Sequence, residues 1–145
     1  MSRSRDDKLF TVNDASKLLP QLSTIIDEFR DRRDTFFKLN RELNELKEVV
    51  GNEAYRSEEL SNKERILVAT SKELENLLDE VSKQGCMLKD VEHGLVDFIS
   101  IFRGKKVFLC WQQGEEEISW YHDIQSGFTG RKKINDPDEF KDKLS

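Results

Sequence analysis

The sequence has little apolar material for its length and lacks long hydrophobic runs. Of its 145 residues, 36% are hydrophobic and 37% are charged, which is less apolar and more charged than an average globular domain. Long helices tolerate this composition because each one buries only a single stripe. No apolar run approaches the roughly 20 residues that span a bilayer. The segment 1–8 also lacks the apolar core of a signal peptide, so we expect no membrane association and a cytoplasmic location.

A basic excess and a zinc-finger cysteine pattern are also absent. The net charge is −5, and no region carries the surplus of lysine and arginine that generic nucleic-acid binding requires. Cys86 and Cys110 are the two cysteines, and neither belongs to a CxxC motif, which argues against a structural zinc site. We expect two reduced, partly buried thiols, with a disulfide as the alternative.

The first half of the sequence predicts a short helix followed by a long coiled-coil helix. Thr11 is placed to cap a helix over 12–19, and Pro20 suits a kink or restart. From residue 22 onward, apolar residues recur at alternating spacings of three and four, with one polar interruption. That repeat is typical of a coiled-coil seam. We expect an interface for self-association or a protein partner, formed by Leu22, Ile25, Ile26, Phe29, Arg32, Phe36, Phe37, Leu39, Leu43 and Leu46.

A second long helix is expected after a break at Gly51-Asn52. Ser61-Asn62-Lys63-Glu64 fits a capping box, with Ser57 as a competing start. The helix should extend to about Gln84 and be closed by Gly85. Two long helices joined by a short break are expected to fold back into an antiparallel hairpin. Residues 1–88 therefore read as a short helix plus a helical hairpin.

Residues 89–145 predict a small β unit. Three short runs at 95–99, 106–111 and 117–122 are rich in β-branched and aromatic residues, and turn-forming segments separate them. This pattern predicts a three-stranded antiparallel meander. Asp136-Pro137-Asp138-Glu139 predicts the start of a short C-terminal helix. The expected fold class is therefore α+β, with one structural domain overall.

Asp97 and His122 are candidate catalytic residues of this β unit. Strand alternation places each of them among apolar neighbours. A carboxylate and an imidazole in such surroundings can form an acid/base pair or a metal site. The alternative is structural, with Asp97 capping a turn or pairing with Arg131. The two side chains share a face only if the strand register allows it, because a one-residue slip sends one of them to the other side.

Two weaker groups lie near these residues. Asp90, Glu92 and His93, together with Asp97 and His122, are numerous enough to ligate a divalent metal, although their spacing matches no recognised ligand pattern and solvated junction charges are the alternative. The segment Gly127-x-x-Gly130-Arg131 could hold an anion with backbone N–H groups and a guanidinium. An ordinary tight loop is the alternative there.

Several of these segments, taken in order, are similar to the prokaryotic DUF2203 family. They are Phe10-Thr11-Val12-Asn13-Asp14-Ala15 leading to Leu18-Leu19-Pro20, then Lys89-Asp90, Gly94-Leu95-Val96-Asp97-Phe98, Cys110-Trp111, Trp120-x-His122 and Gly127-Phe128-x-Gly130-Arg131. The resemblance covers roughly residues 10–131. It implies an organisation rather than an activity, and it marks Asp97, Trp111, His122 and Arg131 as positions of interest.

Three functions fit these observations. The first is a non-enzymatic interaction module that uses the hairpin and the β unit, with a binding set of Trp111, Trp120, Gly127, Gly130 and Arg131. The second is a small metal-dependent or acid/base enzyme centred on Asp97 and His122, with Arg131 as a further candidate. The third is an RNA- or ribosome-associated factor in which the loop at 127–131 and Lys132-Lys133 meet phosphate. The sequence specifies no cofactor.

Overall fold

The structure, a computed structural model, describes residues 7–49 and 54–144. It is an α+β chain with long helices and an antiparallel sheet. The described residues divide into two units. The sheet unit contains the residues up to Ile26 and those from Glu80 onward, and the helical unit contains Asp27–Asp79. The break expected at Gly51-Asn52 lies outside the described residues. No helix in the described part of the chain has an apolar stretch long enough to cross a bilayer.

The first helices begin where the sequence signals place them. Helix α1 spans Val12–Ser16, and the Thr11 side chain accepts a hydrogen bond from the Asp14 backbone N–H at 3.0 Å, which confirms the predicted cap. Helix α2 spans Leu19–Val49 with Pro20 in its first turn, where a missing N–H costs no helical hydrogen bond.

Helices α2 and α3 supply the helical unit. Helix α3 spans Ala54–Lys83 and begins before the predicted Ser57 or Ser61, because nothing in 54–60 breaks a helix. Three ion pairs join the two helices within this unit: Arg32–Glu73 at 3.3 Å, Glu42–Lys63 at 3.1 Å and Lys47–Glu64 at 3.9 Å.

The residues predicted as an interface differ in their burial within the chain. Leu22, Ile25, Ile26 and Leu43 are buried, and the remaining seam residues Phe29, Arg32, Phe36, Leu39 and Leu46 are half-buried. Phe37 alone among the ten is exposed, at 56%. Nine of the ten predicted interface residues are therefore buried or half-buried within the chain itself. Ile26, which is fully buried, offers no free surface for a partner.

The sheet has six strands where the sequence predicted three. They are β1 Met87–Asp90, β2 Leu95–Phe102, β3 Lys105–Gln112, β4 Trp120–Asp123, β5 Lys132–Lys133 and β6 Phe140–Lys141. Strands β1 to β5 are neighbours in sequence order, and β6 pairs with β2. The three additional strands are only two to four residues long, and such short strands depend on their sheet neighbours rather than on a local pattern.

Strands β2 and β3 form a tight hairpin that sets the register of the sheet. Arg103 and Gly104 connect them with φ angles of 52° and 80°, as in the two-residue turns whose twist matches that of paired strands. Asp97 consequently lies directly opposite Cys110, and on the next pair of strands Phe108 lies opposite His122. Residues two apart on a strand share a face, so all four side chains project from the same side of the sheet.

Segments from both ends of the described chain meet on β2. The Phe10 N–H donates to the Ile99 carbonyl at 2.8 Å, and β6 pairs with Ile101 and Phe102. The Ser100 hydroxyl donates to the Phe10 carbonyl at 2.6 Å, with the Lys141 carbonyl 3.3 Å away. The phenyl ring of Phe10 packs edge-on against Phe98, with 5.2 Å between ring centroids.

The predicted C-terminal helix is wrong. Asp136 does cap a turn, and its side chain accepts from the Asp138 N–H at 3.0 Å. That turn is a single 3₁₀ turn over Pro137–Glu139, after which the chain continues as β6. Pairing of Phe140 with Phe102 and burial of the Phe140 ring outweigh the local signal for a longer helix.

Candidate functional site

Asp97, Cys110 and His122 form a cluster on one face of the sheet. Their exposed fractions are 3%, 1% and 4%, and one potential ligand atom from each residue lies within 4.8 Å of the other two. The hairpin register places Asp97 and Cys110 side by side, and His122 reaches them diagonally from β4. The sheet thus brings together the two residues predicted from sequence and adds the cysteine.

Hydrogen bonds determine how the imidazole of His122 is oriented. Its Nδ1 lies 2.9 Å from the Asp123 carbonyl oxygen. A carbonyl only accepts, so Nδ1 carries a hydrogen. The opposite ring atom, Nε2, faces the Asp97 carboxyl with both oxygens at 3.4 Å. Because a lone pair on Nε2 would repel a carboxylate, at least one proton lies between Nε2 and the Asp97 carboxyl.

Burial favours the neutral forms of the two acidic groups. Burial raises the pKa of the Asp97 carboxyl above its ordinary value, although the neighbouring His122, Lys89 and Cys110 all act to lower it. Burial also raises the pKa of the Cys110 thiol to about 12, and the negative charge of Asp97 adds to this effect. The thiol and the carboxyl are neighbours, because Cys110 lies directly opposite Asp97 on the adjacent strand. Desolvation therefore dominates the electrostatics of this cluster.

A cavity of about 330 Å³ opens onto the cluster. This volume is at the lower end of the range found for small-molecule sites. The lining combines polar and apolar groups, and the Lys89 ammonium lies 5.9 Å from the centroid of the Phe108 ring. The residues around the cavity are Lys89, Leu95, Asp97, Phe108, Cys110, His122, Ile124, Gln125, Ser126 and Gly127.

Arg131 has a different partner from the one considered in the sequence analysis. Its guanidinium forms an ion pair with Glu115 at 2.8 Å and lies 4.9 Å from the centroid of the Trp120 ring. The charged group that contacts Asp97 is His122, at 3.4 Å, whereas the pairing of Asp97 with Arg131 was the structural alternative in the sequence analysis. Arg131 still lies near enough to the cluster for its positive charge to lower the pKa of the Cys110 thiol, against the larger effect of burial.

The other predicted binding residues also separate. Trp111 is 1% exposed and its indole N–H donates to the Glu115 carbonyl at 2.9 Å, which makes it a core residue. Trp120 is half-buried. Gly127 lines the cavity. Gly130 closes a 3₁₀ turn in which a Cβ would approach the Cβ of Ser126 to 2.6 Å, so the tight-loop alternative explains this glycine.

His93 and the basic pair after the loop lie at exposed positions. The His93 imidazole Nδ1 lies 2.9 Å from the Asp90 carboxylate, whose pKa it lowers. The side chain of His93 is 68% exposed. Lys132 pairs with Asp123 at 3.3 Å, and the Lys133 ammonium lies 5.3 Å from the Trp120 ring centroid. Asp90 and His93 therefore form an exposed counterpart to the buried Asp97–His122 pair.

Cys110 is the site residue that sequence reasoning missed. The signal was present in the two-residue turn at Arg103-Gly104, because such a turn fixes the hairpin register. Phe102 and Lys105 are the paired residues that flank the turn. Asp97 lies five residues before Phe102, and Cys110 lies five residues after Lys105. Counting outward from that turn would have placed the thiol beside the carboxyl.

The fold and the cluster define the class of protein. It is an α+β protein whose antiparallel sheet carries a buried carboxyl, thiol and imidazole beside a cavity. The chain belongs to the family of uncharacterized conserved proteins designated DUF2203, whose model matches residues 8–134. No match to the chain was found among curated proteins or among solved structures.

Proposed function

We propose that this protein is a small enzyme that acts on a small polar molecule held in the cavity, with Asp97 and His122 carrying the chemistry. The observation that supports it is a buried carboxyl–imidazole pair 3.4 Å apart that lines a cavity of about 330 Å³. Burying such a pair gives weak or no net stability. Perturbed ionisable groups in a cleft are, in contrast, typical of functional sites.

The lining of the cavity supports a small polar substrate. Lys89 offers a positive charge, and Gln125 and Ser126 offer hydrogen-bonding groups close to the pair. Leu95 and Phe108 supply apolar walls. This mixture of a few polar groups on an apolar background is usual for sites that orient a small molecule.

A fragment titration tests this proposal. Small carboxylates, amides and phosphates are added to ¹⁵N-labelled protein, and turnover of each compound that binds is followed by ¹H NMR. Binding should shift the backbone amides of 95–97 and 122–127, because these residues line or flank the cavity. We expect at least a tenfold loss of turnover in His122→Gln, because general acid–base groups contribute roughly 10²–10⁴-fold.

His93→Gln is the matched control, since His93 also contacts an aspartate but is exposed. It should behave as the parent protein does. Fragments that shift only amides elsewhere in the chain, or equal turnover by His122→Gln and the parent, would contradict the proposal.

The two free cysteines support a reducing compartment, which agrees with the cytoplasmic location expected from the sequence.

We also propose a second role, in which α2 and α3 form an antiparallel coiled-coil hairpin that self-associates. The ion pairs support the antiparallel direction, because Arg32 meets Glu73 while Glu42 meets Lys63. Exposed apolar side chains support association. Phe37, Ile66 and Val68 are 56%, 48% and 69% exposed within the helical unit. A second copy can cover exposed apolar side chains of this kind by two-fold symmetry.

Sedimentation and light scattering test the second role. The double variant Phe37→Glu with Val68→Glu should shift a dimer to a monomer, because buried glutamates would be unpaired at the contact. Thr35→Glu and Asn40→Glu, both at exposed polar positions of α2, serve as charge-matched controls and should leave the mass unchanged. A parent protein that is monomeric at high concentration would rule out self-association.

A further inference from the structure

We infer that Asp97, Cys110 and His122 bind one divalent transition-metal ion of the zinc class, with an open coordination position toward the cavity. This inference rests on the proposed function and deepens it by naming the cofactor of the same site. The metal ligands predicted from the sequence were Asp97 and His122 together with Asp90, Glu92 and His93, although the spacing of these residues matches no recognised ligand pattern. The structure brings Asp97 and His122 together. The thiol of Cys110 supplies the third ligand.

The distances between the potential ligand atoms fit a single ion. A tetrahedral zinc ion with bonds of about 2.0–2.3 Å holds its ligand atoms about 3.3–3.6 Å apart. The imidazole Nε2 and the carboxyl oxygens are already 3.4 Å apart. All three ligand atoms lie within 4.8 Å of one another, so small side-chain rotations bring the sulfur into range. Neighbouring strands hold the three residues, which leaves little backbone freedom to lose on binding.

The orientation of His122 is that of a metal ligand. Histidines that ligate metals usually donate their second ring N–H to a carbonyl or carboxylate, which fixes the tautomer and the ring plane. In this structure Nδ1 donates to the Asp123 carbonyl at 2.9 Å, Nε2 faces Asp97, and the residue lines the cavity. The hydrogen bond that would orient a bound imidazole is therefore already made.

Charge balance favours a divalent ion. With a dication, a carboxylate, a thiolate and a neutral imidazole, the cluster is neutral. The thiol proton and the proton between Asp97 and His122 are released to solvent when the ion binds. A buried site of this kind accepts the ion without gaining net charge, which avoids the large cost of an uncompensated charge in a low-dielectric interior.

The donor set and the cavity indicate the type of metal and of site. One thiolate and one imidazole with one carboxylate suit zinc or cobalt(II) better than magnesium or calcium, which prefer oxygen ligands. Three protein ligands leave a fourth position for water or substrate, as in catalytic rather than structural zinc sites. The cavity beside the cluster has room for that ligand.

Titration with Co²⁺ tests the inference. Reduced, chelator-treated full-length protein receives Co²⁺ under anaerobic conditions and is followed by absorption spectroscopy and calorimetry. We expect one Co²⁺ per chain, a thiolate-to-cobalt charge-transfer band, and displacement by Zn²⁺. Cys110→Ser should lose the band, and both Cys110→Ser and His122→Gln should bind at least tenfold more weakly.

The chain provides matched controls for these variants. Cys86 is also a buried free thiol, whose S–H contacts the Val81 carbonyl, and His93 is the second histidine. Cys86→Ser and His93→Gln should keep both the band and the affinity. Circular dichroism verifies that each variant folds. If Cys110→Ser does not fold, the cobalt affinity of His122→Gln tests the metal site in its place.

A parent protein without the band, or a band that persists in Cys110→Ser, would overturn the metal site. Fragment binding and turnover by the metal-free protein would in that case still support the proposed function. Metal binding without any fragment binding at the cavity would remove the proposed function and leave the metal site.

Discussion

Replacing His122 with leucine should lower the free energy of unfolding of the metal-free protein by about 3 kcal/mol at pH 7. The substitution leaves Asp97 buried without its imidazole partner, and an uncompensated buried charge is expensive. Burial raises the pKa of Asp97, and the substitution removes the imidazole that acts against this effect. The folded state must therefore keep the carboxyl protonated. Urea unfolding monitored by tryptophan fluorescence measures the effect, because both tryptophans lie in the sheet unit.

The dependence on pH has a definite sign. The unfolded carboxyl titrates near its ordinary value of 3.8, whereas the pKa of the folded carboxyl is raised. The folded state therefore binds the extra proton, and its stability falls as the pH increases above about 4 through the folded pKa. The cost of His122→Leu should accordingly be small at pH 4 and increase toward pH 7.

Asp97→Asn tests whether the buried carboxyl causes the loss of stability in His122→Leu. The amide keeps the shape of the carboxyl but cannot ionise, so it removes the cost of a buried charge that has lost its imidazole partner. Adding Asp97→Asn to His122→Leu should recover part of the lost stability at pH 7, and the remainder is the cost of the amide N–H group that is left unpaired. His93→Leu is the control at the exposed Asp90–His93 pair and should change stability little. A loss of equal size at pH 4 and pH 7 would show that packing, and not the buried carboxyl, causes the effect.

Replacing Phe10 with alanine should destabilise the sheet unit by about 3–5 kcal/mol. The ring is 1% exposed and packs edge-on against Phe98, so alanine leaves a cavity in the core. The loss also weakens the attachment of the segment whose backbone bonds to Ile99 and Ser100. Urea unfolding followed by tryptophan fluorescence reports this unit directly.

Leu144→Ala removes an apolar side chain from an exposed position of the same unit and is the control. It should change the unfolding free energy by less than about 0.5 kcal/mol. If Phe10→Ala and Leu144→Ala gave similar small changes, the N-terminal segment would contribute little to the sheet unit, contrary to its burial.

The helices and the central strands could be predicted from the sequence because their signals are local. Thr11 supplies a cap within three residues of the N–H it accepts from, and strands β2 and β3 have strong β-branched and aromatic patterns. The capping box at Ser61 predicted a start for α3 that is later than the observed one. The residues of that motif are equally acceptable inside a helix. Strands β1, β5 and β6 depend on pairing with distant neighbours, which no local pattern contains.

The candidate site could be predicted only in part. Alternation identified Asp97 and His122, but bringing them together required a register across three strands. The Arg103-Gly104 turn fixes one pairing, β2 with β3. The connection to β4 is longer, so His122 could not be placed opposite Phe108 from the sequence. Trp111 was expected at a binding surface because the family resemblance marked its position, yet its N–H is satisfied inside the core.

The meeting of the Phe10 segment and β6 on β2 has a consequence for the order of folding. The β2–β3 hairpin closes over a two-residue turn, whereas the contact of Phe10 with Ile99 and Ser100 joins residues about ninety positions apart. Closing the longer loop costs more chain entropy. We expect the hairpin that pairs Asp97 with Cys110 to form early, and the Phe10 segment and β6 to dock late. Asp97 and Cys110 would then be side by side early in folding, and His122 would join them when β4 pairs with β3.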